Sequence, residues 1–531
     1  MTPNGAHSRR WLAMSLLLLL LALGWMLPRW LKSSAEKLGP PPADLFAAPY
    51  VWPVEISADP KALDSLRKNP RQDVLLTVRW AGSVFTNVQA HLKGATGSFR
   101  PVDEKPSWTL DFPKPGLLGY EKIHLNNSVE DESFLCEWLG SEIFRAAGVP
   151  AARTTHALVT LNGRKLGLYV IKEGYNRAFV QRHFGTSTGP FYEPIQAQDI
   201  TGRLEIVFGP SADPLAGRRE LAAVASLPDL QTRWEQFGVF LDREMFSRFL
   251  AAEVLLGHRD GYGLAHNNYR LFFDTTSRRV CFLPHGMDNL LGTPDFPWRP
   301  YWRGLVARSF TETPQGSALY RASLTNLLET HFQPQIWMPR LKTLADQLTA
   351  TLPRNEARTL TKAAEQLCRH LELRHASLRR QLAEPPPSPP VFSNNIARLT
   401  GWRPVDIPEG GRMETATAPD GRPALMIRAG PRTAASWRTT VWLDPGAYIF
   451  AGEVILQGVK PLDNLRQKGA GLGVQDIPAP PHFLIGDVRS KRLEVPFTVA
   501  PPGRLVELRC ELFAQSGTAW FVIDSLHLRR P

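Results

Sequence analysis

Residues 257–289 read GHRDGYGLAHNNYRLFFDTTSRRVCFLPHGMDN. Two runs rich in aromatic and β-branched residues, NNYRLFF and RRVCFL, flank the polar turn Asp274-Thr-Thr-Ser277, so this stretch predicts a β-hairpin ending at Pro284. Asp260 ends a helix-to-loop passage, Asn267 and Asn268 lead into the first strand, and Asp288 follows the return strand. Phosphoryl transfer uses groups in this order. One carboxylate accepts or orients a hydroxyl, while an amide oxygen and a second carboxylate hold a divalent cation against nucleotide phosphates. His258-Arg259-Asp260 spells the HRD of ordinary protein kinases, although the asparagine follows seven or eight residues later where those kinases place it at five. Asp260 as a loop cap and Asp288 as a turn residue is the competing structural account. A metal hydrolase is another alternative, with His258, His266 and His285 joining the two aspartates, but no zinc-motif spacing accompanies them.

Upstream, Asp242 is placed to cap a helix over Asp242–Gly257, whose Phe246, Phe249, Leu250 and Val254 fall on one face. HALVTLNGRKLGLYVIKE predicts two strands about Asn162-Gly163, the strongest hairpin signal in the chain. A helix is expected over Glu132–Ala147, stopped by Gly148 and Pro150. Strands are expected from Asp73 to Gly94 and at Trp108–Phe112. The turn Lys93-Gly94-Ala-Thr-Gly97-Ser98 leaves a strand with two glycines and hydroxyls beside cations, a pattern able to present N–H groups to phosphates. Lys105 would add a point charge to them. Glu173, at the end of the Asn-Gly hairpin, is either an acid facing a cleft or a surface charge.

Downstream, residues 315–383 are helical in pattern, and the cationic run LCRHLELRHASLRRQL reads as a solvated helix face. Residues 384–391 form a polyproline linker. Beyond it, 392–531 alternate like strands and predict a β-sandwich, with Trp437, Trp442 and Trp520 expected in its core. At the other end, Arg9-Arg10 precede the apolar run Trp11–Leu27, so residues 1–35 read as a signal anchor or cleaved signal peptide and 36–50 as a stalk. Either way the body is expected outside the cytoplasm: a single-pass membrane protein, or a secreted one. The formal charge of +12 is spread without a dense Lys/Arg arm, so no nucleic-acid partner is expected. Cys136, Cys281, Cys368 and Cys510 lie far apart without CxxC spacing, so neither a zinc ribbon nor a redox motif is expected, and Cys136 and Cys281, in apolar contexts, read as buried free thiols.

HLKGATGSFRP..EKPSWTLDF, LGYEKIHLNNSVEDESFLCEWLGSEIFRAAGVPA, VTLNGRKLGLYVIKEGYN, HRDGYGLAHNNYRLFFD and LPHGMDNLLG, in that order, resemble the CotH family, the spore-coat protein H type of atypical protein kinase. The resemblance implies an α+β atypical kinase domain over 51–383, using ATP with Mg²⁺ or Mn²⁺ to phosphorylate Ser/Thr of surface or secreted proteins. By motif, Asp260 is similar to the catalytic Asp and Asp288 to the metal-binding Asp. Asn268, or its neighbour Asn267, would be the second metal ligand. Lys105 would be a phosphate-binding Lys and Glu173 the family's hairpin-end Glu. KGATGS stands where many members carry an Arg-Gly-Asn-Ser type sequence, and HGMDN replaces a Trp-Asp-x-Asp form. The C-terminal segment is similar to carbohydrate-binding-like, galactose-binding-like jelly rolls, which implies a glycan partner there. The alternative function is a non-catalytic surface scaffold or glycan-binding protein.

Overall fold

The computed structural model describes residues 42–531 except 96, 211, 385–388, 463–468, 476, 478–482 and 500–502. It divides into two compact units after Ala383. The membrane reading of residues 1–35 lies outside the described residues. Among the described residues no helix is long and apolar enough to cross a membrane.

In the first unit seven strands close a barrel: β1 (Val51–Ser57), β2 (Val74–Trp80), β3 (Ser83–Lys93), β4 (Ser107–Asp111), β5 (Lys122–Asn126), β6 (Thr154–Leu161) and β7 (Arg164–Glu173). Their order is β1-β2-β3-β4-β5-β7-β6, and β1 closes the ring by pairing parallel to β6. Asn162 and Gly163 both take positive φ between β6 and β7, as the hairpin reading requires. Side chains alternate across each strand. Leu92, Trp108, Leu110, Leu125, Tyr169 and Ile171 pack in one core, which leaves Lys93, Thr109, His124 and Lys172 on the opposite, outer face. Residues 44–50, expected as the end of a stalk, belong to this unit instead. Leu45 is fully buried and the Tyr120 hydroxyl donates to Asp44 at 2.9 Å.

The helix expected from Glu132 begins at Cys136 and runs to Ala146. Phe134 takes φ +58°, which no helix interior accommodates, and the Asp131 carboxylate accepts from the Ser133 and Cys136 N–H groups at 3.0 and 2.9 Å. This helix leans on the outer face of β6, where the His156 ring meets the Phe134 carbonyl at 2.8 Å.

A second sheet, in the order β11-β10-β8-β9, combines β8 (Phe191–Pro194), β9 (Leu204–Phe208), β10 (Tyr269–Asp274) and β11 (Arg279–Pro284). The helix Arg243–Leu255 packs on β11, with Phe246 and Phe282 ring centroids 4.8 Å apart. Helices Pro314–Thr330, Pro334–Thr349 and Arg354–Ala383 form the C-terminal end of the unit. The cationic run on the last of these is not wholly solvated. Arg374 is fully buried and donates to the Val254 and Pro294 carbonyls at 2.6 and 3.0 Å. A guanidinium can be buried when its fan of donors meets carbonyl oxygens, and helix periodicity does not reveal such partners.

The second unit is all β: β12 (Ile396–Arg398), β13 (Arg403–Val405), β14 (Arg412–Thr417), β15 (Pro423–Arg428), β16 (Thr433–Leu443), β17 (Gly446–Pro461), β18 (Gly469–Val474), β19 (Gly486–Val499), β20 (Arg504–Val522) and β21 (His527–Arg529). They form one hydrogen-bonded network in place of two separate sheets, because β20 is long enough to pair with β16 along one stretch and β15 along another. Trp437 is buried in its core, whereas Trp442 and Trp520 are partly exposed. All four cysteines are free.

Candidate active site

Helix Arg243–Leu255 starts on an Asp242 cap, whose carboxylate accepts from the Met245 N–H at 2.9 Å. From its last turn Glu253, 1% exposed, reaches past the helix end and accepts the N–H groups of Tyr262 and Gly263 at 2.7 and 3.0 Å. Burial pushes its carboxyl up to about 8, against the pull of those two N–H groups. A Cβ on Gly261 or Gly263 would press into this carboxylate, so the glycines let the loop wrap it. Asp260 stands exposed on that loop. Both Asn267 and Asn268 donate to its Oδ2, at 2.9 and 2.6 Å.

The hairpin then returns the chain to the same place. Tyr269 pairs with Pro284, and the His285 N–H donates to the Asn268 carbonyl at 2.9 Å. Gly286 lies so close that a Cβ would overlap the Asn268 amide. Two residues later comes Asp288. The structure therefore gathers Asp260, Asn267, Asn268 and the start of the Asp288 segment into one loop cluster.

Behind Asp288, the Met287 N–H donates to Glu137 Oε2 at 2.9 Å. Glu137 Oε1 is ion-paired to Lys172 Nζ, and both side chains are at most 3% exposed. Gly140, one turn on in the same helix, admits the Met287 side chain. Burial alone would raise Glu137, but Lys172 holds it below the ordinary carboxylate range. Among the described residues Asp288 has no such ion-pair partner. Burial, then the charges of Glu137 and Glu130, push it up to about 6. Asp288 comes two residues after Gly286, which abuts the Asn268 amide, and a carboxylate and an amide oxygen are donor types that suit a hard divalent cation.

Above this, the outer barrel face is basic. Lys93 donates to Asn126 Oδ1 at 2.6 Å, and burial followed by the nearby Lys172 charge lowers it to about 8. His124 meets Thr109 Oγ1 at 3.1 Å and is held neutral by burial and by Lys93, Lys122, Lys172 and Arg270. Arg270 on β10 pairs with Glu193 and approaches His285 Nε2 at 3.4 Å. The His124 and His285 rings are 6.5 Å apart. Cations from the barrel and from the second sheet thus converge with two neutral imidazoles, an arrangement suited to a polyanion.

Other expected site residues lie apart from this cluster. Glu173, 3% exposed, is held by Arg153 at 3.2 Å and Arg182 at 2.6 Å. Strand alternation turns it away from Lys172, so it is a paired structural charge rather than a cleft acid. Lys105 sits over the Phe134 and Tyr169 rings, 4.8 and 5.2 Å from their centroids, and feels the Glu356 charge. Gly94 and Gly97 take φ +114° and +98°. Three N–H groups of the turn are spent internally: Ala95 donates to Ser98 Oγ at 3.2 Å, while Ser98 and Phe99 donate to the Ala95 carbonyl at 3.2 and 2.9 Å. Gly97 abuts the Glu130 carboxylate, an unfavourable neighbour for phosphate.

The hydrolase alternative does not assemble. His258 is buried and lowered to about 4 by burial, His266 faces Asp199 at 3.3 Å, and His285 faces Arg270. Among the described residues no three His, Cys, Asp or Glu groups are arranged to hold a metal ion. Sequence reasoning missed Glu137, Lys172, Glu253, His124 and Arg270. Lys172 alone had a readable signal, a lysine inside the apolar run LYVIKE on the face opposite its neighbours Ile171 and Glu173.

The chain matches the family model described as CotH kinase protein over residues 91–378, more than half its length. Invasin CotH2 of Rhizopus delemar is 23% identical over 348 residues, a match spanning 57% of this chain and 57% of that protein. Among solved structures, the Helicobacter pylori proinflammatory kinase CtkA is 10% identical, covering 54% of this chain and 96% of its own, with a TM-score of 0.27. HipA of Shewanella oneidensis MR-1, in its toxin–antitoxin complex with HipB and operator DNA, is 10% identical over 50% of this chain and 60% of its own, with a TM-score of 0.23. TmCBM61, solved with β-1,4-galactotriose, is 14% identical over 27% of this chain and all of its own, with a TM-score of 0.16. Scores this low carry no structural argument.

Proposed function

The chain belongs to the CotH kinase protein family, and from that premise we propose that it transfers the γ-phosphate of ATP to serine or threonine hydroxyls of proteins outside the cytoplasm. The observation that supports this most is the linkage Lys172–Glu137–Met287. In protein kinases a strand lysine paired to a helix glutamate, together with a metal-binding aspartate, defines the competent site. Here a single buried glutamate ties the lysine to the backbone next to Asp288.

Lys172, Lys93 and Arg270 meet the triphosphate, and neutral His124 and His285 offer hydrogen bonds without adding charge. Asp288, with Asn268 or Asn267, would hold Mg²⁺ or Mn²⁺, whose positive charge would offset the negative charge of the phosphates. Asp260, with Oδ2 fixed by two asparagines, presents its other oxygen to the acceptor hydroxyl. The hydroxyl oxygen bonds to the γ-phosphorus, the bond to the ADP oxygen breaks, and the hydroxyl proton passes to Asp260. Export rests on Arg9-Arg10 before the apolar run Trp11–Leu27, with anchorage by that run or secretion after its removal. The word invasin in the name of the Rhizopus relative agrees with a surface setting. The second unit is assigned a jelly-roll-like, glycan-binding role by its sequence resemblance alone.

The test is full-length protein with γ-labelled ATP, Mg²⁺ or Mn²⁺ and a panel of unfolded acceptor proteins. Label is expected on serine or threonine, and Asp288→Ala is expected to remove it while circular dichroism stays unchanged. Folded parent protein that neither binds ATP nor transfers label would overturn the proposal and leave the scaffold alternative.

A further inference from the structure

Away from this cleft, a cavity of about 740 Å³ opens in the first unit between the β6–β7 hairpin and the junction of helices Pro334–Thr349 and Arg354–Ala383. None of Lys93, Glu137, Lys172, Asp260, Asn268 or Asp288 lines it. Its volume lies in the range of small-molecule sites, roughly 300–1,000 Å³. Leu168, Leu352 and Leu360 give it apolar wall, and Lys105 stands over the Phe134 and Tyr169 rings at its edge.

Lys105 is the unusual member. Among the described residues its ammonium has neither a hydrogen-bond nor an ion-pair partner, only ring faces. Withdrawn charges are ordinarily matched by an opposite charge, because desolvation is costly otherwise. Here burial lowers Lys105 to about 8, and Glu356 offsets this only from a distance. Glu132 and Glu356 also line the cavity, so a second cationic ligand group has places to go, but the uncompensated charge in contact with the apolar wall is positive.

We propose that this cavity binds an amphipathic monoanion, a carboxylate head on an apolar chain, with the head on Lys105 and the chain along Leu168, Leu352 and Leu360. The head replaces the missing counter-charge and the chain removes its own apolar surface from water. Neither part requires the nucleotide cleft, so the site is independent of the kinase reading.

The probe is octanoate, titrated calorimetrically into the full-length protein, with octylamine as the charge control. Octanoate should bind at least ten-fold more tightly than octylamine. Lys105→Met, which keeps the stem and removes the charge, should weaken octanoate binding ten-fold or more. Leu360→Trp, which fills the cavity and leaves Lys105 in place, should do the same and provides a separate arm should Lys105→Met not fold. Saturating ATP with Mg²⁺ should leave octanoate affinity unchanged. Equal binding of octanoate and octylamine, undiminished binding by the variants, or displacement of octanoate by ATP would each overturn the proposal.

Discussion

Asp260 and Glu253 are carboxylates about two helical turns apart in sequence that have been given opposite environments. Asp260 is exposed and its Oδ2 is pinned by two asparagine amides, so its position is fixed while one oxygen remains open. Asp260→Asn keeps size and hydrogen bonding but removes the charge that receives the proton in the proposed function. Turnover should fall about 10²-fold or more with the KM for ATP nearly unchanged, since the lost interaction belongs to the transition state. A variant that loses ATP affinity with unaltered turnover would place Asp260 at the nucleotide instead. Glu253 is buried and its carboxyl is raised from 4.5 to about 8. Its folded-state pKa exceeds its unfolded one, so its contribution is fully present below about 4.5 and is lost as pH rises through about 8. Relative to Glu253→Gln, the parent should therefore lose up to about 1.4 kcal/mol of stability per pH unit across that window, read from denaturant midpoints. The amide keeps one acceptor of the two that hold the Tyr262 and Gly263 N–H groups, so the variant's kcat should also drop several-fold. A stability difference that is flat with pH would show that Glu253 is ionised throughout.

At the scale of elements, the β10–β11 hairpin and the Cys136–Ala146 helix converge on the same short segment. The hairpin delivers Gly286 against Asn268, and the helix delivers Glu137 to the Met287 N–H. Gly286 also has φ +54°, so a side chain is opposed both by its backbone and by the Asn268 amide. Gly286→Ala should cost about 1–3 kcal/mol. Because the strain falls on Asn268, a metal ligand in the proposed function, Mn²⁺ affinity should fall more than thermal stability does, a comparison open to titration and melting of one preparation. Unchanged Mn²⁺ binding would separate Asn268 from the metal site.

For the whole molecule, the division after Ala383 leaves each unit with its own hydrophobic core. A fragment of residues 389–531 should unfold in a single cooperative transition, because its core is built from Leu, Val, Phe and Ala residues of its own strands. A fragment without a calorimetric transition would show that the first unit supports it.

What the sequence by itself determined is local. The Asn162-Gly163 turn, the Asp242 cap, the hairpin from Tyr269 to Pro284 and the Asp260–Asn268–Asp288 spacing are set by φ preferences, short-range hydrogen bonds and two-residue or 3.6-residue periodicity, all of which a single segment carries. Tertiary structure decided what is joined to what. Lys172 and Glu137 are 35 residues apart, and Glu137 and Met287 are 150 apart. β1 closes the barrel on β6, which begins about a hundred residues later. The same assembly turned Glu173 onto two arginines and set Lys105 on a separate cavity. Periodicity says which face of an element is apolar but not which element will cover it. A buried charge is stable only where its partner arrives, and that pairing exists once the chain has collapsed around it.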